Sequence, residues 1–256
     1  MPLLQQQPGI SRREADKAFT LVELLVVVTI TGILAALLLP SLSAAHEKSQ
    51  RAVCKSNLRQ NIIAIRMYAD DNQDILPSAV DNHGSSHTIR VSDLTYSNFL
   101  AYLQEPKTLD CPNIFFGTVE RHDANGYVIG YSYLGDTGVT TSDKGPDVFV
   151  PARKLSDPGT NQIMADANYW TKDATKFKIA PHTISGSAMV NASSFTTGLP
   201  GDKSADIGAV GGNVGYLNGS VVWKTMGQMS TFQAGTSGGS SGGGAIGTAG
   251  LAYGNW

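Results

Sequence analysis

An apolar segment near the N-terminus constrains this chain more than any other sequence feature. Residues 19–39 read FTLVELLVVVTITGILAALLL and carry one charge, that of Glu23, and no further charge occurs before His46. A helix of about 20 apolar residues crosses the core of a bilayer. The segment has no polar stripe at helical spacing, as the helix of a soluble core would have. It therefore predicts a membrane-spanning helix.

The charges that flank this segment predict its orientation. Arg12, Arg13 and Lys17 precede it, so the N-terminal side should face the cytoplasm and the remainder should be exported. A cleaved secretory signal is the alternative, with a small-residue cleavage site near residues 43–45. Such a signal has a shorter apolar core, and a glutamate at membrane depth is costly without a function. Both points favour a permanent span.

The sequence KAFTLVE at residues 17–23, followed by the long apolar stretch, resembles the processing site of type IV prepilins and type II secretion pseudopilins. The resemblance implies that a prepilin peptidase cuts between Ala18 and Phe19 and that Phe19 is then N-methylated. Ala18 stands where this family usually has Gly. It also implies a bacterial inner-membrane protein whose head is periplasmic, or extracellular after assembly.

The same resemblance implies a structural role and a set of partners. Subunits leave the membrane lipid and self-associate into a filament, aided by an inner-membrane assembly platform and its cytoplasmic ATPase. The leading hypothesis is a subunit of a type IV pilus-like filament or a secretion pseudopilus, and not an enzyme. The alternative is a membrane-anchored or filament-tip protein that binds a surface, a glycan or a secreted cargo. A net charge of −2 gives no basic face for nucleic acid.

Glu23 is the candidate assembly residue. After cleavage, Phe19 would carry a free amine near the membrane, and the Glu23 carboxylate of a neighbouring helix could neutralise it. Such a pair would set the axial register between subunits. The alternative is a carboxylate that reaches the interface at the start of its own helix, where the helix dipole favours an anion.

Helical signals continue beyond the apolar segment. Gly32 and Pro40 mark a bendable point. Residues 43–70 then resume a helical pattern, and Glu47 and Arg51 are spaced for a surface ion pair. One helix over residues 19–70 is predicted, and its second half has an apolar face at helical spacing: Val53, Leu58, Ile62, Ile65 and Ala69.

The pattern along the chain predicts an α+β, pilin-like fold with a long helix on a small antiparallel β-sheet head. Five segments follow: a leader (1–18), a transmembrane or filament-core helix (19–42), an amphipathic continuation (43–76), an exported β-rich head (77–234) and a Gly/Ser-rich tail (235–256). In the head, residues 94–103 predict a helix, and residues 127–134, 162–165 and 189–191 predict strands. The aromatic end of the tail either docks on the head or is frayed.

Residues 213–224, NVGYLNGSVVWK, predict a β-hairpin. Asn218 and Gly219 suit a two-residue type I′ turn, which would pair Tyr216 with Val221 and Val214 with Trp223. The hairpin also resembles the C-terminal signature of a large-ectodomain subgroup of pilin-like proteins, in which a His precedes an Asp-Gly turn. Asn218 stands in place of that Asp, and a Gly in place of that His.

Two cysteines, Cys54 and Cys111, are too few for a disulfide scaffold or a zinc ribbon. In an exported head they predict one disulfide, worth about 3–4 kcal/mol by loop-closure entropy. Two free buried thiols are the alternative. The five histidines do not form a site by spacing: His83 and His87 stand four apart, but the residues between them are typical of a loop.

No cofactor, catalytic residue or metal ligand is assigned from the sequence. Calcium is a minor alternative at two kinds of place. Asp70, Asn72 and Asp74 match the first positions of an EF-hand loop, but Ile75 stands where Gly is needed. Two aspartate pairs lie in Gly-containing loops and could bind an ion or simply be solvated: Asp143 with Asp147, and Asp202 with Asp206.

Overall fold

The computed structural model describes residues 20–114, 122–137, 149–171, 178–184, 186–190, 204–235 and 252–256. Its first element, α1, is the α-helix Leu21–Asp71. This helix is continuous through Pro40, as the sequence predicted. The chain divides into two compact units between Leu42 and Ser43, so α1 contributes to both. The predicted bend at Gly32 and Pro40 stays a prediction.

The rest of the described chain is mainly antiparallel β-structure, with one further α-helix, α2 (Asp93–Tyr102). Ser92 caps α2, since its hydroxyl accepts the N–H of Thr95 at 3.1 Å. The described strands, in chain order, are β1 (Arg90–Val91), β2 (His122–Asp123), β3 (Gly126–Val128), β4 (Tyr131–Tyr133), β5 (Gln162–Asp166), β6 (Asn168–Thr171), β7 (Lys178–Thr183), β8 (Gly186–Val190), β9 (Gly211–Tyr216), β10 (Val221–Thr225), β11 (Thr231–Gly235) and β12 (Ala252–Asn255).

These strands form three sheets, of order β1-β3-β2, β10-β9-β5-β4 and β11-β12-β6-β7-β8. Every pairing within them is antiparallel. With the long N-terminal helix, they give the α+β, pilin-like architecture that the sequence predicted.

The second half of α1 packs into the head through the predicted apolar face. Leu58, Ile62 and Ile65 are fully buried there, whereas Val53 is 43 % exposed and does not belong to this face. Polar side chains on the same half reach the head backbone. Asn61 Nδ2 donates to the carbonyl of Thr108 at 2.8 Å, and Arg66 Nη1 donates to that of Leu217 at 2.9 Å.

The single strand predicted over residues 127–134 is two strands in different sheets, because the chain leaves the ladder at Ile129 and Gly130. Gly130 N donates to the carbonyl of Leu109 at 2.8 Å. A Cβ at Gly130 would lie 2.3 Å from the backbone nitrogen of Cys111. Glycine therefore lets the chain pass from β3 to β4 in close contact with the 109–111 backbone.

The predicted hairpin is present as β9 and β10, but its turn type and register differ from the prediction. Val221 pairs with Gly215 and Trp223 with Asn213, one residue away from the predicted partners. Gly219 has φ 90°, and Asn218 does not have a positive φ. The loop is therefore three residues long, residues 217–219, and it ends with a glycine in the left-handed region. It is not a two-residue type I′ turn.

Neighbouring backbone explains the extra loop residue. Leu217 N donates to the carbonyl of Asn161 at 2.9 Å, and Asn218 N donates to that of Gly159 at 3.0 Å. These bonds hold the start of the loop against the segment before β5. The Asn-Gly pair alone does not show this constraint.

The end of the C-terminal tail docks on the head. Strand β12 pairs with β11 on one side and with β6 on the other. Trp256 is 1 % exposed, and its ring lies 5.2 Å from that of Phe232 and 5.7 Å from that of Phe149. The frayed alternative is therefore excluded for residues 252–256, while most of the Gly/Ser-rich stretch lies outside the described residues.

Candidate functional site

The first half of α1 exposes a continuous apolar surface. Its apolar stretch is long enough to span a bilayer, and none of that stretch is buried in the structure. Leu21 is 81 % exposed and Leu37 is 72 % exposed, and the exposed large apolar side chains between them range from 48 to 65 %. Isolated soluble proteins rarely expose apolar patches of this extent. This half of α1 is long and apolar enough to cross a membrane.

The two predicted processing residues, Ala18 and Phe19, lie outside the described residues. Thr20 and Glu23 are described and form a reciprocal cap at the start of α1. The Glu23 carboxylate accepts the Thr20 backbone N–H at 2.9 Å and the Thr20 hydroxyl at 2.7 Å, and Glu23 N donates to Thr20 Oγ1 at 3.2 Å. The carboxylate thus lies at the positive end of the helix dipole, and its role in assembly stays a prediction.

A second candidate site is a buried polar cluster that joins the second half of α1 to the head. Glu47 is 3 % exposed. Its carboxylate lies 3.0 Å from Arg51 Nε and 2.8 Å from His182 Nδ1, and it accepts Asn113 Nδ2 at 2.8 Å. The sequence predicted the pair of Glu47 with Arg51 correctly, but its placement on the surface was wrong.

His182 lies between two carboxylates and is fully buried on β7. Its Nδ1 faces Glu47, and its Nε2 lies 3.1 Å from Asp166 Oδ2 on β5. Burial alone would lower the pKa of His182, but Asp166 and Cys54 outweigh it and raise this pKa to about 10. In this state two carboxylates are balanced by two cations, His182 and Arg51.

Aromatic and amide groups complete this cluster. The guanidinium of Arg51 lies 4.2 Å from the ring centroid of Trp223. The same indole meets the His182 ring edge-on at 5.5 Å. Asn213 donates to Asp166 Oδ2 with its backbone N–H at 2.6 Å and with its side chain at 2.9 Å. The four charged groups are therefore held from several sides.

The two cysteines meet at the same cluster. Cys54 on α1 and Cys111 are fully buried free thiols, and their Sγ atoms lie 3.0 Å apart. Burial raises the pKa of the Cys111 thiol well above its ordinary value. Donor atoms of Cys54, Cys111 and His182 all lie within 4.8 Å of one another, which is an arrangement that could hold a metal ion. The disulfide stays a prediction.

The sequence interpretation missed His182 because it judged histidines by spacing along the chain. His83 is exposed, whereas His87 Nε2 lies 3.2 Å from the Tyr169 hydroxyl. The two histidines therefore lie in different surroundings. A useful signal was present in α1: Glu47 and Cys54 stand seven apart, on the same face as the buried apolar residues.

The calcium candidates stay untested predictions. Asp74, the third of the EF-hand-like positions, accepts the backbone N–H of Ser156 at 3.0 Å. Gln73 and Asp74 have positive φ, as in the polar turn that was the alternative. Asp206 is exposed, whereas Asp143, Asp147 and Asp202 lie outside the described residues.

Together the long apolar helix and the antiparallel head give a pilin-like architecture. Residues 14–39 match the family model of the prokaryotic N-terminal methylation motif. That match covers the N-terminal region, including both predicted processing residues and Glu23. The N-terminal segment is therefore a prepilin-type methylation segment.

Curated relatives match the same N-terminal region. The chain is 38 % identical over 61 residues to type II secretion system core protein G of Pseudomonas aeruginosa and 39 % identical over 61 residues to that of Klebsiella michiganensis. It is 43 % identical over 56 residues to the type IV wide pilus major component PilA4 of Thermus thermophilus. The alignments cover 22–24 % of this chain and 43 % of the length of each relative. No solved structure matches the chain.

Proposed function

We propose that this protein is a structural subunit of a type IV pilus-like filament or a type II secretion pseudopilus. The observation that carries the proposal is the unburied apolar half of α1, which continues without a break into a half that packs in the head. An apolar helix of this length is stable in a bilayer or in the core of a filament. The prepilin-type segment and the named relatives support the same role.

Processing and location follow from the same proposal. A prepilin peptidase cuts between Ala18 and Phe19 on the cytoplasmic side of the inner membrane, and the new terminus at Phe19 is methylated. The head is then periplasmic, or extracellular once the subunit is in a filament. The protein stays in membrane lipid until an assembly platform and its ATPase extract it. It is not an enzyme in this role.

Glu23 sets the register between subunits in this proposal. In the uncut chain its carboxylate is satisfied by Thr20, at the first turn of α1. Cleavage before Phe19 would place a positively charged amine next to this turn. In a medium of low dielectric constant, an amine and a carboxylate attract strongly, and an unpaired one is costly. A neighbouring helix can therefore dock at the axial position that pairs the two.

The intact mass and N-terminal residue of protein from its native envelope test the processing step. A chain that begins at N-methylated Phe19 supports the prepilin pathway. A chain that retains Met1 would contradict the filament proposal, because the apolar helix would stay anchored. A chain that begins near His46 would instead indicate an ordinary secreted head.

A Glu23→Gln variant tests assembly separately. We expect cleavage before Phe19 to persist while sheared filaments are lost at least tenfold, since the neutral amide cannot neutralise the amine. The matched control is Glu105→Gln, at an exposed position of the head. Filaments at the unaltered level in the Glu23 variant would refute the proposed role of this residue.

A membrane-anchored or filament-tip binding protein is the second candidate. The similarity to named relatives is confined to the N-terminal region, so the head has features of its own. Counting subunits in sheared material separates the two roles. A filament subunit is the main component there, whereas a tip protein is scarce relative to the subunit that carries it.

A further inference from the structure

We propose that Cys54, Cys111 and His182 form a metal site for a thiophilic divalent cation of the Zn²⁺ class. The site lies where the second half of α1 meets the head, and it is separate from the apolar half that serves the proposed filament role. Its donors come from three places in the fold: α1, the segment after the 3₁₀ turn Pro106–Leu109, and β7.

The donor set suits this class of ion. Two thiols and one imidazole, all fully buried, bring their donor atoms within 4.8 Å of one another. Zn²⁺ is bound in proteins mainly by sulfur and nitrogen donors in tetrahedral geometry. Hard cations such as Ca²⁺ and Mg²⁺ prefer oxygen donors, so they fit this set poorly.

The hydrogen bonds around His182 leave one ring nitrogen available. Nδ1 lies 2.8 Å from the Glu47 carboxylate, which is the outer partner that a metal-binding histidine usually has. Nε2 is close to Asp166 but has no hydrogen-bond partner among the described residues. Arg51 and Asn113 in turn hold Glu47. Glu47 therefore fixes the orientation of the imidazole, and Nε2 is the ring nitrogen left for an ion that replaces the proton shared with Asp166.

Asp166 supplies a carboxylate beside that nitrogen. Its Oδ2 accepts two hydrogen bonds from Asn213. Its Oδ1 is buried and has no hydrogen-bond partner within the described parts of the chain. Asp166 is not one of the three residues whose donor atoms lie within 4.8 Å of one another, but its carboxylate adds negative charge near the cation. A buried acceptor without a partner is unfavourable, and a nearby cation would offset part of that cost.

A disulfide uses fewer of these groups. It would join the Cys54 and Cys111 sulfurs but leave His182 Nε2 with only its ion pair to Asp166, and Asp166 Oδ1 with no hydrogen-bond partner among the described residues. A metal ion engages both sulfurs and the nitrogen, and it attracts the carboxylate. The metal site therefore accounts for more of the buried polar atoms than the disulfide does.

Metal binding at this site is an exchange of protons for the ion. The cation displaces one proton from each thiol, and His182 binds the ion as a neutral imidazole. No electron is transferred. Affinity must therefore fall as the pH falls, because protons compete for the same three donors.

Cobalt titration of the reduced full-length chain in detergent tests the site. We expect one Co²⁺ per chain, thiolate-to-cobalt absorption in the near ultraviolet and displacement of Co²⁺ by added Zn²⁺. Cys111→Ser should abolish the thiolate band of the native site or shift it strongly. Glu47→Gln should weaken Co²⁺ binding about 10- to 100-fold through the loss of the outer partner of His182. His122→Gln, at an exposed histidine, is the matched control and should bind as the unaltered protein does.

Two results would overturn the proposal. One is a reduced chain, folded by circular dichroism, that binds no Co²⁺ with thiolate absorption. The other is protein from its native envelope that lacks metal and is 2 Da lighter than the reduced chain, which would establish the disulfide. Both readouts use the unaltered sequence, so misfolding of a variant does not affect them. Neither depends on whether the protein forms filaments.

Discussion

Ile62 on α1 packs directly over Gly215 on β9. A Cβ built on Gly215 would lie 2.4 Å from Ile62 Cδ1, which is far inside van der Waals contact. The absence of a side chain at Gly215 therefore sets how closely the second half of α1 approaches β9, an inner strand of its sheet. The buried polar cluster depends on this approach, because its groups come from both elements.

Gly215→Ala should destabilise the head by about 1–3 kcal/mol, since the added methyl group overpacks a filled core. Urea unfolding measures the change. Combination with Ile62→Val should recover part of the loss, because valine lacks the Cδ1 atom that clashes. Gly227→Ala is the control, as nothing lies within 4 Å of a Cβ there. Equal stability of Gly215→Ala and Gly227→Ala would show that the close packing is not present in solution.

Glu47→Gln should cost about 3–5 kcal/mol of unfolding free energy. The change removes one charge from a buried group of four and leaves the His182 cation without one of its two carboxylates. Urea unfolding of the reduced protein in chelator measures this loss without any metal. Glu105→Gln, at an exposed glutamate, should change stability by less than about 0.5 kcal/mol. A Glu47 variant as stable as this control would contradict the burial of the ion pair.

The stability of the metal-free head should fall as the pH rises above neutrality. The pKa of His182 is raised from an ordinary value of 6.5 to about 10 in the folded protein. Because folding raises this pKa, protonated His182 contributes fully to the free energy of unfolding below pH 6.5. That contribution is lost between pH 6.5 and about 10. The expected slope is about 1.4 kcal/mol per pH unit.

Unfolding in chelator and reductant at several pH values measures this slope, and His182→Gln serves as the comparison. The variant should be less stable near pH 6 and should have a flatter profile up to pH 10. The same slope in both proteins would show that His182 is not the group responsible.

Trp256→Ala should destabilise the head by about 3–5 kcal/mol, since it empties a pocket that Phe149 and Phe232 line. Thermal unfolding of the two proteins gives the difference. Leu94→Ala, at a side chain that is 71 % exposed, is the control for loss of a large apolar residue. A small effect at Trp256 would place the C-terminal end outside the core in solution.

Local sequence patterns were sufficient to predict α1, α2 and the existence of the β9–β10 hairpin. The helix pattern repeats over many turns, and the Asn218-Gly219 pair marks a turn between two β-prone runs. The register of the hairpin was one residue off, because backbone at Gly159 and Asn161 fixes the loop from outside the hairpin. This constraint cannot be read from the sequence of the turn itself.

The buried cluster could not be predicted because its members are isolated polar residues in distant segments. Glu47 and His182 are 135 residues apart in sequence and 2.8 Å apart in space. Each also has a plausible local interpretation, as a surface ion pair or a solvated histidine. Only the packing of α1 against β5 and β7 shows that these groups must satisfy one another.

The position of β12 has a consequence for the order in which the head can form. A chain that is made or exported from its N-terminus delivers residues 252–255 after both β6 and β11, yet they lie between these two strands. Until then, both strands keep an open edge, and open edges readily accept strands from other chains. Closure of this sheet therefore waits for β12, and the stages before it are those most in need of protection from aggregation.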